Sequence, residues 1–523
     1  MGNLLLFVIP LALVVVIVQI IRATTSTRKY GSAQLPPGPP GRDHSNLLDN
    51  DRWNMFKSWN DRYGNVAAFY TGQQLNIVLG TMEAAVDVLE KAGETFSSRP
   101  HFIMGEFLFS RLRGFSMTYG PKWRNWRTLQ NSHFSPQVAP KVKPMQINES
   151  AVLIHDYLTN TDPSKQHKIL RRYTASLMFY MGYGRRVTSL EDPLCVKHDQ
   201  EEEYIESTKV PGRFPLESWP ILLWLPRPLQ WFRHEPEKHR DTNTKLYTTA
   251  MNEVKRKMED GTAVPCTSTY GLTKQKELDM EDNVELAYAL SAPWAAGIGT
   301  TTTAFEIAIL AMLHYPECLQ KAKAEIDEVV GQDRMPNFED QQSLPYLGAF
   351  IRETLRWRLV TPTGIAHSST QDYTYKGMLI PKDASVYANA AEIMKDPTVF
   401  PEGEKFKPER FLETNDPRLL NYRFGCFGFG RRMCPGMHVA LQSMYIVIAR
   451  LIWAYDVLPI TINGKPYIPD ADDFTYGLVS YPANLKFQLV PRSENHKNII
   501  IADAERANAD MAHLDGSSAS YNI

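Results

Sequence analysis

From about residue 150 to residue 460 the chain is written in the period of the α-helix. "LMFYMGYG", "EDNVELAYALSAPWAAGIGTTTTAFEIAILAMLHY", "LQKAKAEIDEVVG", "LPYLGAFIRETLRWR" and "GMHVALQSMYIVIARLIWAY" repeat apolar residues at three- and four-residue spacing, the pattern of helices packed into a core. Only short alternating pieces, "NVAAFYTGQQLNIVLG" and "DYTYKGMLIPKDASVYANA", read as strands turned by Gly, Pro or Asp. Strands and helices do not alternate one for one, which argues against a doubly wound dinucleotide fold. The expected fold is mainly α with small antiparallel β-sheets, in one large domain spanning residues 42–492.

The amino end is of another kind. Residues 4–21, "LLLFVIPLALVVVIVQII", hold no charge, and eighteen helical residues rise about 27 Å, close to a bilayer's hydrocarbon thickness. Arg22, Arg28 and Lys29 follow the run and no Lys or Arg precedes it. Residues 1–22 are therefore expected to be a single transmembrane anchor, with the bulk of the chain in the cytosol. Residues 23–41 form a basic and Pro-rich hinge ending in "LPPGPPG", stiff and extended. Residues 493–523 are expected to be a polar tail with little role in the core.

Charge excludes one class of partner. Lys and Arg number 57 against 58 Asp and Glu, so nothing points to nucleic acid. Five scattered cysteines fit a reducing compartment rather than a disulfide framework. "HEPEKH", residues 234–239, spaces its histidines by five with Pro236 between them, which does not make a zinc-binding helical face. Gly428-Phe429-Gly430 begins a dinucleotide fingerprint, but Met433 stands at its third glycine position.

One cysteine is set apart. "FGFGRRMCPGMHVA", residues 427–440, places Cys434 among glycines and behind Arg431 and Arg432, just ahead of an apolar helix. Glycines permit a tight turn, and both arginines and the helix start are expected to favour a thiolate. The stretch reads as a device that holds an ionised sulfur against something.

The spacing Phe427-x-x-Gly430-x-Arg432-x-Cys434-x-Gly436 resembles the haem-thiolate loop of the cytochrome P450 family, of the membrane-bound eukaryotic type common in fungal secondary metabolism. "ETLR" supplies Glu353 and Arg356 on one helical face, and "FKPERF" supplies Arg410. The resemblance implies the P450 fold over nearly the whole chain, haem b as cofactor and Cys434 as its proximal ligand. A thiolate pushes electron density into iron and favours O–O cleavage. It further implies a buried Glu353–Arg356–Arg410 ion-pair network. Trp123 and Arg127 of "WRNWR", His367 of "PTGIAHSS", and Arg432 are placed at the haem propionates. Arg431 and Lys122 are assigned to a basic face toward NADPH–cytochrome P450 reductase.

One departure touches the chemistry. The family's oxygen-activating helix carries an acid followed by an alcohol, and this chain reads Ala296-Gly297-Ile298-Gly299-Thr300. Thr300 keeps the alcohol, and Gly299 replaces the acid. In a helix interior Pro293 costs about 3 kcal/mol and each glycine about 1, so a widened or kinked turn with room for water is expected there. The alternative is that Pro293 occupies the first helical turn, where it costs little.

The implied reaction is insertion of one oxygen atom from O2 into a lipophilic substrate, with Thr300 supporting proton delivery. The second reading is a haem-thiolate isomerase or dehydratase that needs no reductase, and a third is a non-catalytic haem protein. The pocket is expected to draw on residues 99–120, Ala292, Ala296, Thr300, Val360–Ala366 and Tyr476–Val479, with Met104, Phe107, Phe109, Trp294 and Ile365 making it apolar. A terpenoid is the first substrate expectation, and an aromatic polyketide or indole alkaloid the second.

Overall fold

The computed structural model describes residues 34–516 apart from 42, 48–50, 73, 209–213, 413 and 421–422. The expected anchor at 1–22 and the hinge as far as residue 33 lie outside the described residues. Seven helices matter for the argument: α1 (Pro121–Phe134), α2 (Lys143–Thr159), α3 (Gln166–Tyr183), α4 (Ala292–His314), α5 (Pro345–Trp357), α6 (Met437–Ala454) and α7 (Glu494–Met511). α4 and α3 form the densest helix pair, and α4 also lies against α5 and α6. Their shared interior is residues 307–313 of α4 and 444–454 of α6, all buried. Among the described residues, the helical stretches long and apolar enough to cross a bilayer are Asn283–His314 and Met437–Ala454, each 78% buried within the protein. They are core helices.

Close approach of α3 and α4 depends on one glycine. A Cβ at Gly297 would lie 2.2 Å from Met178 Sδ, so any larger residue there pushes the helices or Met178 aside. Pro293 sits in the first turn of α4, after a break at Ser291, where a missing N–H is harmless. From Ala292 to His314 the helix is continuous. Pro293 starts the helix instead of interrupting it, and no 3-10 or π turn is inserted at the glycines.

Strands β1 (Val66–Thr71), β2 (Gln74–Leu79), β3 (His367–Ser368) and β4 (Ser385–Ala388) form a sheet in the order β1–β2–β4–β3. β1 and β2 are an antiparallel hairpin, Val66 opposite Leu79. β2 and β4 run parallel, Asn76 opposite Ser385, and β3 returns antiparallel with His367 opposite Val386. The other described sheets are antiparallel pairs. The Pro-rich stretch docks on this sheet: Ala68 N–H donates to Pro37 O at 2.9 Å, and a Cβ on Gly38 would overlap Ala68 O.

The carboxyl end departs most from expectation. Residues 494–511 form α7, with Ser493 capping His496 N–H. Ile500, Ala504, Ala507 and Met511 are buried and α7 packs densely on α2. A period of three to four among small and apolar residues, Ile500-Ala504-Ala507-Met511, was present beneath the polar composition and outweighed it.

Candidate functional site

Cys434 sits in a turn that two glycines make possible. Gly428 and Gly430 have φ of 83° and 57°, the left-handed region in which a side chain is strained. Gly430 has a second reason: its N–H donates to Glu90 Oε2 at 2.5 Å, and a Cβ would lie 2.5 Å from Leu89 O. Cys434 N–H donates to Phe427 O at 2.9 Å, which closes the loop. Gly436 has φ of −79° and precedes α6. Its contribution is space, because a Cβ there would lie 3.8 Å from Cys434 Sγ.

Cys434 keeps exposed surface, while the surrounding protein pushes its thiol pKa up by desolvation. N–H groups of Gly436 and Met437, and the Arg127 guanidinium, oppose that rise. The cation acting on the sulfur is thus Arg127 of α1, not Arg431 or Arg432. Arg431 turns outward to Tyr119 Oη at 2.7 Å. Arg432 turns away to three carbonyls, Ser97 at 2.6 Å, Met117 at 2.6 Å and Gly114 at 3.3 Å.

Around the cysteine loop, three arginines gather that share no ion pair with an acid among the described residues. Arg127 donates to Met433 O at 2.6 Å, and Arg432 lies 4.3 Å over the ring of Trp123, one helical turn earlier on α1. Arg99 donates to the carbonyls of Ile365 and Ala366 at 2.8 and 2.7 Å, and its buried Nε has no partner. None of these three arginines makes an ion pair within 4.0 Å among the described residues. Burial first, then repulsion from Arg99 and Arg127, pulls Arg432 down to about 9. Burial alone takes Arg99 down to about 10. His367 joins them from β3: Nδ1–H donates to Phe96 O at 2.7 Å. Burial, with Arg99 and Arg432 nearby, pushes its pKa down to about 3. A nest of buried cations with an unused guanidinium N–H is the donor set that two carboxylates would satisfy. The residues present fit a haem with its propionates.

Arg99 escaped the sequence reading. It reaches His367 because Ser98 bridges to Ser368, with Ser368 N–H donating to Ser98 O at 2.9 Å. A pairing across 270 positions leaves no local signal.

On α5, Glu353 and Arg356 are fully buried and bidentate, 2.7 Å at both contacts. Arg410 Nε meets Glu353 Oε1 at 3.1 Å. Arg356 also donates to the carbonyls of Met394, Gly403 and Lys405, so the network fastens the loops that lead to the cysteine.

Thr300 donates its hydroxyl to Ala296 O at 2.7 Å. A Cβ at Gly299 would meet nothing within 4 Å. Of the expected pocket residues, Ala296, Ile365 and Tyr476 present open surface. Met104, Phe107, Phe109 and Trp294 do not: they are packed in the core, Phe107 under Arg233 and Trp294 among Phe179, Tyr183, His198 and Tyr247. Tyr476 stacks on Trp53 at 5.9 Å. Aromatic rings buy more burial in the helix interface than in a recess.

A cysteine in a glycine turn, against a carboxylate-seeking nest on a mainly α scaffold, defines a haem-thiolate protein. The model of the cytochrome P450 family matches residues 36–488, and the chain belongs to that family, as an oxidoreductase whose haem takes an axial cysteine thiolate. It is 33% identical to cytochrome P450 monooxygenase aneD of Aspergillus aculeatus, covering 92% of this chain and 93% of that one. It is 32% identical to cytochrome P450 monooxygenase 58 of Postia placenta, covering 94% of each. The fold superposes on a zebra fish cytochrome P450 solved with progesterone at a TM-score of 0.70, with 24% identity over 84% of this chain and 99% of that one. The protein is a haem monooxygenase.

Proposed function

We propose that the chain inserts one oxygen atom from O2 into a lipophilic secondary metabolite, a terpenoid in the first instance. Its electrons come from NADPH through NADPH–cytochrome P450 reductase, and residues 1–22 hold it in the endoplasmic reticulum membrane. The observation that carries the reading is the placement of Cys434 beside Arg127, with Arg99 and Arg432 making no ion pair among the described residues. When bound, haem supplies the electron-transfer and dioxygen chemistry. Cys434 Sγ is its ligand, and the N–H groups of Gly436 and Met437 spread the sulfur's charge. Arg99, Arg127 and Arg432 hold the propionates. Carbonyls fix the Arg432 plane on three sides, so little entropy is lost on binding. His367 joins the set once a carboxylate beside it favours the protonated ring.

Thr300 holds water. With its proton committed to Ala296 O, the oxygen of Thr300 accepts from a water, and that water keeps its other hydrogen free to donate. Gly299 leaves the room for it. Proton delivery then runs through ordered water where the family uses a carboxylate.

The test is the carbon monoxide spectrum of the full-length chain in microsomes with a eukaryotic reductase. A thiolate-type band after reduction by NADPH and by dithionite is the expected result. The band with dithionite alone, repeated with excess reductase, favours the isomerase or dehydratase reading, to which Gly299 lends its one support. Loss of the band in Cys434→Ser, with helical content retained, assigns the ligand.

A further inference from the structure

α4 is a core helix with one carboxylate in it. From Ala292 to His314 there is no Lys, Arg or Asp and a single Glu, Glu306. Glu306 is 4% exposed. His167 Nδ1–H, from α3, donates to its Oε1 at 2.7 Å, while Oε2 is buried with no hydrogen-bond partner among the described residues. A buried carboxylate with an unmatched oxygen is costly, and an apolar residue of its size would pack α4 on α3 without that cost. The acid is not there for packing.

Its place on the helix gives it a use. Seven residues separate Gly299 from Glu306, so the two lie on one face, about 10.5 Å apart along the axis. Thr302 and Thr303 occupy the turn between them, both buried. Thr302 Oγ1 donates to Ile298 O at 2.8 Å and meets Thr174 Oγ1 of α3 at 2.9 Å. Hydroxyls both donate and accept, and long side chains on a helix lean toward its amino end, here toward the threonines. Beyond them a Cβ on Gly299 would meet nothing within 4 Å, and Thr300 is the next residue. At the other end the His167 side chain is 47% exposed. His167, Glu306, the threonine hydroxyls and the room at Gly299 thus line up from solvent to the position whose acid is missing.

We propose that Glu306 supplies the protons that the water on Thr300 delivers, replacing from two turns away the carboxylate absent at position 299. This rests on the oxygenase reading. His167 takes a proton from solvent at Nε2 and gives the one on Nδ1 to Glu306 Oε1. A half-turn of the carboxyl group brings that proton to its open side. From there it passes along the hydroxyls and intervening water to the water on Thr300, and Glu306 is left a carboxylate that accepts the next proton from His167. Glu306 touches neither substrate nor haem and acts through Thr300.

Two measurements on the full-length chain test this. The first needs no turnover: light releases carbon monoxide from the dithionite-reduced protein, and the infrared difference spectrum is recorded. A carboxyl or carboxylate band that shifts in heavy water should respond in the wild type and be missing from Glu306→Gln. The second follows NADPH oxidation in vesicles with a eukaryotic reductase and no added substrate, where oxygen leaves as hydrogen peroxide or, with protons delivered, as water. Glu306→Gln should raise the peroxide released per NADPH by about twofold or more. Adding Gly299→Asp to Glu306→Gln should return it to the wild-type value, a rescue that a packing role does not allow. His167→Asn, a surface change, should raise peroxide in the same direction. No infrared band, equal peroxide in wild type and Glu306→Gln, or no rescue by Gly299→Asp each overturns the proposal. The thiolate-type carbonyl band of the same samples reports on the oxygenase reading: present while Glu306 is silent, it leaves that reading standing and removes only this one. Should Glu306→Gln load little haem, His167→Asn decides through the same two measurements.

Discussion

Gly299 stands where the family carries a carboxylate, and its surroundings say what restoring one would do. A Cβ at 299 meets nothing within 4 Å, so Gly299→Asp is accommodated, and loss of a helical glycine favours the helix by up to about 1 kcal/mol. If Thr300 already holds the water that donates protons, the added acid is redundant. Gly299→Asp should then leave the thermal midpoint equal or higher and change the coupling of NADPH use to product by less than about twofold, an effect below half a kcal/mol. Coupling is read as product formed per NADPH consumed, with peroxide release measured alongside. A large gain in coupled turnover would show that water at Thr300 does not replace the acid.

At the scale of elements, α3 and α4 touch where Gly297 meets Met178. Gly297→Ala puts a methyl 2.2 Å from Met178 Sδ, which forces the thioether aside and should destabilise the protein by about 1–2 kcal/mol despite the better helix propensity. Met178→Ala alone leaves a cavity and should cost about 2 kcal/mol or more. Together the two changes should cost less than their sum, because the methyl enters the space that Met178 vacates. Urea midpoints of all four proteins measure that coupling, and additive effects would mean that the contact is not what limits the helix approach. These helices, the β1–β2 hairpin and the Glu353–Arg356 pair were legible because each signal is local: a period, a turn, a three-residue spacing. Cys434, Thr300 and Arg432 were singled out through motif spacing. Arg99 was not, since its place beside His367 comes from a bridge between Ser98 and Ser368. Nor was the inward turn of Phe107, Phe109 and Trp294, because an apolar residue near a recess and one behind it look alike in a sequence.

Across the whole molecule, stability rests on charges buried far from the cysteine. His198 lies against Trp294 with ring centroids 4.6 Å apart, and burial takes its pKa down to about 4, with Asp199 and Glu202 pulling up and Arg113 and Arg171 pushing down. The unfolded chain binds that proton near pH 6.5. Between those values unfolding takes up a proton that the folded state refuses, so stability falls as pH drops from about 6.5 to 4, by up to about 3 kcal/mol. His198→Asn should flatten this limb of the urea-midpoint profile, and an unchanged slope would place the acid sensitivity elsewhere. Stability also depends on the carboxyl end. Glu149 of α2 is fully buried and takes Arg172 at 2.7 Å and Arg186 at 2.6 Å. Arg186 reaches on to Asn508 of α7 at 2.8 Å, and its N–H donates to Leu514 O at 2.9 Å. α7 lies beyond the residues that the family model matches, yet it covers α2, and α2 packs in turn on α6, which begins three residues after Cys434. Ending the chain at residue 492 would uncover the apolar face of α2 and remove part of Arg186's hydrogen bonding, a loss of several kcal/mol. The truncated chain should therefore express with less haem and unfold at lower urea, while the haem it retains keeps the thiolate band unshifted, because the ligand loop itself is intact. A shifted band with normal stability would mean that α7 acts on the ligand instead of on the scaffold behind it.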